Sequence, residues 1–176
     1  MKKLVAILFS AVLMFSISFG EAHAAAKNLG MTANQFIQKY NASVESYGIT
    51  SLRIGTTKNK TGDVLSTFQY MFTPNIAIIG TMGTADGLMR EVCILSTPTT
   101  EGEAMMALAA FSGITLILNP NLTSAERENL MRNLNLYDGR IENLQYGKGE
   151  AIAGNVKYTT QLVNNIFSFI ASAKDL

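Results

Sequence analysis

A chain of 176 residues with 14 basic against 13 acidic side chains has room for a proper core but shows no electrostatic footprint for nucleic acid. Its only histidine, His23, falls in the leader described below. The rest of the chain therefore lacks the usual general base at neutral pH, which excludes Ser-His-Asp, Cys-His and histidine-based zinc chemistry.

Lys2 and Lys3 open the chain, Leu4 to Phe19 runs almost without a polar break, and Ala22-His23-Ala24 supplies two small residues at the exit. Charge, apolar core and small-residue exit in that order read as a cleavable secretory signal of a bacterial kind, residues 1–24, with cleavage expected after Ala24. No cysteine follows the apolar run, so no lipid anchor and no stable membrane anchor is expected once the signal is gone. The expected product is exported, periplasmic or secreted. Loss of residues 1–24 leaves 152 residues carrying twelve basic and twelve acidic side chains. A lead-in over residues 25–30 precedes one α+β domain over 31–176. Three Asn-X-Ser/Thr triplets, at Asn41, Asn59 and Asn121, are read as chance in such a chain.

Met31 to Phe36 carries a helix start, with Thr32 able to cap, Gln35 to reach back and Met31 to staple onto Phe36. Phe36, Ile37, Tyr40, Val44 and Tyr47 follow at helical spacing, and Gly48 is the stop. From Leu52 to Leu95 the period changes to two. Strands are expected at Leu52–Thr57, Val64–Thr73, Ile76–Met82 and Leu88–Ser96, joined by short turns at 59–62, Pro74-Asn75 and 84–87 into an antiparallel meander. Thr100 to Glu103 repeats the capping pattern ahead of Ala104–Leu118, which is apolar all round and at fifteen residues short of a membrane span, and so is expected as a buried central helix. Thr123 to Glu126 starts a third helix with Leu130, Met131 and Leu134 on its apolar stripe, ending at Asp138-Gly139. Strands at Ile141–Tyr146, Ala151–Val163 and Ile166–Ala173 complete the chain, with Asn164-Asn165 suited to a primed turn.

The order is α-β-β-β-β-α-α-β-β-β: antiparallel meanders packed on about three helices, in two halves of similar plan. In element order, with no shared motif, it resembles the helix-plus-meander modules of cystatin-like and beta-lactamase-inhibitor-like exported proteins.

Little in the chain carries chemistry. Glu101, Glu103, Glu126 and Glu128 sit in first helical turns, where negative charge suits the helix dipole. Asp63, Asp86 and Asp138 sit beside glycine in turns. No run has calcium-loop or phosphate-loop spacing, and no metal or other cofactor is expected. Cys93, inside Val92-Cys93-Ile94-Leu95, cannot form an internal disulfide and reads as a small buried hydrophobe.

Two constellations remain. Phe68, Tyr70 and Phe72 share one face of a strand and form either core or an aromatic binding surface. Arg90-Glu91 interrupts an apolar strand, and adjacent strand residues should face opposite sides. It is either an edge charge pair or the lining of a groove. The leading expectation is an exported, non-enzymatic binding or interaction module for an unknown protein or small apolar ligand. One alternative is a carrier of a small apolar ligand beside helix 104–118. The other is a histidine-independent hydrolase, for which Arg90, Glu91 and Tyr70 would have to converge.

Overall fold

The computed structural model of the protein describes residues 27–136 and 148–174. The expected signal, its cleavage position at Ala24 and the expected strand Ile141–Tyr146 lie outside those residues.

Helix α1 spans Ala33–Ser46. Its start is the expected capping box: the Gln35 N–H donates to the Thr32 hydroxyl at 3.3 Å and the Thr32 N–H donates to Gln35 Oε1 at 2.9 Å. Phe36, Tyr40 and Val44 are its buried stripe, and Gly48, at φ +71°, turns the chain out of the helix. The expected strand Leu52–Thr57 does not form. Leu52 and Ile54 are buried as the alternation implied, but a 3-10 turn holds Thr50–Leu52. Asn41 then takes both backbone groups of Ile54, accepting from its N–H at 2.8 Å and donating to its carbonyl at 2.9 Å. A side-chain amide thus fills the place of a sheet neighbour. Pairing begins later, at β1, Lys58–Lys60, where a turn was expected.

β2 (Leu65–Thr73), β3 (Ile76–Gly83) and β4 (Met89–Ser96) continue the antiparallel meander. Helix α2 follows at Glu101–Leu118. Its capping differs from the expected box: Thr100 caps the Glu103 N–H, while the Glu103 carboxylate accepts from Thr99 and Asn75 instead of reaching back to Thr100. At 18 residues α2 is long and apolar enough to cross a membrane. It is less enclosed than a central helix: Ala107, Leu108, Ala110, Phe111, Gly113, Ile114 and Thr115 are buried, Glu101, Gly102 and Met105 are exposed, and the rest are half-buried.

Helix α3, Ser124–Asn133, has the full Thr123–Glu126 capping box. It ends before the expected Asp138-Gly139, because Asn135 adopts φ +59° and the Leu136 N–H turns back to the Met131 carbonyl. The expected single strand Ala151–Val163 is two strands, β5 (Gly149–Ala153) and β6 (Val156–Val163), folded at Gly154, φ +58°. β7, Ile166–Ala173, returns across a turn in which Asn164 and Asn165 both have positive φ, as a primed hairpin requires.

All seven strands form one antiparallel sheet in the order β1-β2-β3-β4-β7-β6-β5. The two meanders meet through their last strands, β4 and β7. This is the α+β element order expected from the sequence, with the helical residues buried together on one side of the sheet. On that side Phe36 stacks on Tyr40 and meets Phe68, and Phe111 stacks on Phe169.

The Phe68 ring lies flat over Gly80 on the neighbouring strand, where a methyl group would overlap it. Gly80→Ala should therefore cost about 2 kcal/mol, read as a lower urea midpoint. The same change beside Phe68→Leu should cost less than the sum of the single changes.

Candidate functional site

A strand shows its two faces alternately, and strands covered on one side only should alternate apolar with polar residues. β3 and β4 do not. Ile76-Ala77-Ile78-Ile79 and Val92-Cys93-Ile94-Leu95 are apolar on both sides. Ile76, Ile78, Val92 and Ile94 point into the helical core. Ile79, Cys93, Leu95 and Ile170 form a second apolar cluster on the opposite face, flanked by Met71 and Ile166 and containing no helical residue. This second face is the candidate site.

The register lays it out in rows. One row runs Lys58, Gln69, Ile79, Cys93, Ile170, Thr159, Glu150 across the sheet, and the next runs Lys60, Thr67, Thr81, Glu91, Ser172, Lys157, Ile152. The centre is shielded from water, Leu95 being 1% and Cys93 7% exposed. The margin is open: Ile152 is 57% and Val163 53% exposed.

A β-bulge shapes one end of the face. Thr81 pairs with Glu91, but Met82 pairs with Met89, so Arg90 is the extra residue. Met89 and Val92 both enter the helical core. Arg90 and Glu91 are thereby turned to the same side, opposite Thr81, and not to opposite sides as simple alternation implies. Arg90 is buried, and its Nη2 donates to Asp86 Oδ2 at 2.6 Å while lying close over Gly83. That contact and the Leu88 N–H hold the Asp86 carboxyl below its ordinary range, the backbone bond contributing most. Arg90 Nη1 and the Thr81 hydroxyl are buried without a partner.

Glu91 has no ion-pair partner among the described residues, and burial pushes its carboxyl up to about 7. Burial, and then the neighbouring Glu91, push the Cys93 thiol well above its ordinary value, which leaves it a protonated and poor nucleophile.

The aromatic trio lies on the other side. Phe68 is 1% exposed beneath α1. Phe72 stacks on Tyr40 at 6.2 Å, and Tyr70 meets Phe72 edge-on at 5.4 Å. Tyr70 is thus separated by the sheet from Arg90 and Glu91, and the three do not converge. Where a ligand cavity beside α2 was the alternative expectation, Phe111, Phe169 and Tyr158 fill the space between helix and sheet. An open hollow of about 370 Å³ lies elsewhere, between Lys27-Asn28, the Gly154-Asn155 turn and Ala173-Lys174. Among the described residues no three His, Cys, Asp or Glu side chains are grouped to hold a metal ion.

The sequence does carry a signal for this face that the aromatic trio obscures. Unbroken apolar runs in an otherwise alternating meander mark strands that are shielded on both sides.

Fold and site together define an α+β protein with helices on one face of a seven-stranded antiparallel sheet and an apolar, carboxyl-bearing second face. No family model matches this chain, no curated protein is detectably similar to it, and no solved structure matches it.

Proposed function

We propose that this chain is an exported, non-enzymatic binding module, and that the second face of the sheet receives an apolar polypeptide segment of a protein partner. The observation that carries this reading is the two-sided apolar character of β3 and β4 when helical residues join only one of the two clusters. An apolar cluster away from the helices, with Ile152 and Val163 exposed at its margin and Lys58, Lys60, Glu150 and Lys157 around it, has the composition of an interaction patch, an apolar centre within a polar rim. A polypeptide suits it better than a small molecule, because a row of side chains on a flat sheet offers contact area without enclosure. The leader Lys2 to Ala24 supports export, and its removal would place the module in an oxidising compartment that its single cysteine tolerates.

The test uses residues 25–176. This form should enhance the fluorescence of an anilinonaphthalene sulfonate dye and bind a sixteen-residue Leu/Ala model helix. Ile170→Lys, at the centre of the face, should abolish both while leaving the circular dichroism spectrum unchanged. Binding that survives Ile170→Lys, or no binding at all, sinks the reading.

A further inference from the structure

The second face is apolar at one end and polar at the other. Ile79, Cys93, Leu95 and Ile170 make the apolar end, and one row further on Thr81, Glu91 and Ser172 stand on β3, β4 and β7. The bulge adds Arg90 to the polar end. Gly83, two residues beyond Thr81 on the same side of β3, leaves the space in which the guanidinium lies. A Cβ there would stand 2.7 Å from Arg90 Nη2 and 2.6 Å from Asp86 Oδ1. The Arg90 side chain is 9% exposed, and its Nη2 is taken by Asp86. Arg90 Nη1 and the Thr81 hydroxyl are buried and donate to nothing. Two such groups at one end of a single face are uncommon in a native structure, and they mark a position for an acceptor that comes from outside.

The charge already present narrows the acceptor. Asp86 at 2.6 Å matches the charge of Arg90, and Glu91 brings a second, half-buried carboxyl. A carboxylate or phosphate would set a third acid beside one guanidinium, whereas a neutral carbonyl adds no charge. Below about 7 Glu91 holds its proton and is a further donor. Neutral carbonyls that lack donors occur together in the last turn of an α-helix, whose four final C=O groups have no partner within the helix and form its negative pole. The dimensions agree. A sixteen-residue helix is ~24 Å long. The eight-residue strands β3, β4 and β7 are ~26 Å long.

We infer that the second face binds an apolar helix of the partner in one direction only, with the C-terminal end of that helix over Thr81, Arg90 and Glu91, where Arg90 Nη1 and the Thr81 hydroxyl donate to its last free carbonyls. The inference rests on the binding-module reading and names the form and polarity of the segment that the module receives. The apolar end of the face supplies contact area without direction. The two orphaned donors supply the direction. A helix laid the other way would bring its own unpaired N–H groups against Arg90 Nη1, donor facing donor.

The test pairs residues 25–176 with the sixteen-residue Leu/Ala helix, carrying a nitroxide on either its first or its last residue. The label on the last residue should broaden the amide resonances of Thr81, Glu91 and Ser172, and the label on the first those of Leu95 and Ser168. The opposite pattern, or one pattern from both labels, overturns the polarity and leaves the binding-module reading standing. Thr81→Val keeps the shape of the side chain and removes the hydroxyl. It should weaken the peptide about fivefold, the worth of one neutral hydrogen bond, while the free protein melts at the same temperature or higher. Unchanged affinity in this variant overturns the inference, and a lower melting temperature besides gives the hydroxyl to an internal water. Arg90→Lys keeps the charge beside Asp86 without the fork and should weaken the peptide about tenfold. No binding to the parent form overturns this inference and the binding-module reading together.

Discussion

Phe111→Ala should lower stability by about 4 kcal/mol, the upper part of the range for emptying a buried aromatic site. The neighbours are what place it there. Phe111 is fully buried, stacks on Phe169 at 5.3 Å and takes the Tyr158 ring edge-on at 6.0 Å. A void heals when its walls can move inward, and these cannot. The Tyr158 hydroxyl donates to Asn119 Oδ1 at 2.6 Å, and Asn119 in turn donates to the Ala153 carbonyl at 3.2 Å. A tilt of the ring into the gap breaks that chain. Phe169 is fixed from behind by its pairing to both Ile94 and Thr160. For a protein of this size the loss should appear as a fall of about 12 °C in the melting temperature. A change under 1 kcal/mol would show that the rings between α2 and the sheet rearrange freely.

Glu91 should make the protein less stable as pH rises. Burial raises the carboxyl from an ordinary 4.5 to about 7 in the folded protein, so the folded state holds a proton that the unfolded state has already released. The contribution is fully present below about 4.5, declines between there and about 7, and is lost above. Integrated over that window the loss is about 3 kcal/mol. The other charged groups on this face do not offset it. Lys157 is drawn to Glu150 at 3.4 Å, Lys60 stands on the far edge strand, and Arg90 is held by Asp86. Glu91→Gln should flatten the pH profile and raise the melting temperature at pH 8. A parent profile already flat between pH 5 and 7.5 would mean that water reaches the carboxyl.

How legible this molecule is depends on the range of the interactions that shape each part. Helix starts at Thr32 and Thr123 were readable because a capping box is settled within four residues. The Asn164-Asn165 turn was readable for the same reason. Two errors have a common source in distance. The strand expected at Leu52–Thr57 was lost to Asn41, thirteen residues upstream of the backbone it clamps. Arg90 and Glu91 were expected on opposite sides because alternation holds only without a bulge, and the bulge is visible only in the register with β3. The site suffered more than the fold. Phe68, Tyr70 and Phe72 attracted attention as aromatic residues on one face, and which face depended on the helices lying across β2. The apolar second face was written in the runs of β3 and β4, but only a sheet with helices on one side makes those runs informative.

The junction of the two meanders through β4 and β7 also sets a timetable for biosynthesis. β4 is complete at Ser96, but its second neighbour begins only at Ile166, about seventy residues later. Until then the growing chain carries a bare strand edge with apolar side chains on both surfaces, the arrangement most prone to pair with the wrong chain. A nascent molecule of this design needs a holdase for as long as that edge waits.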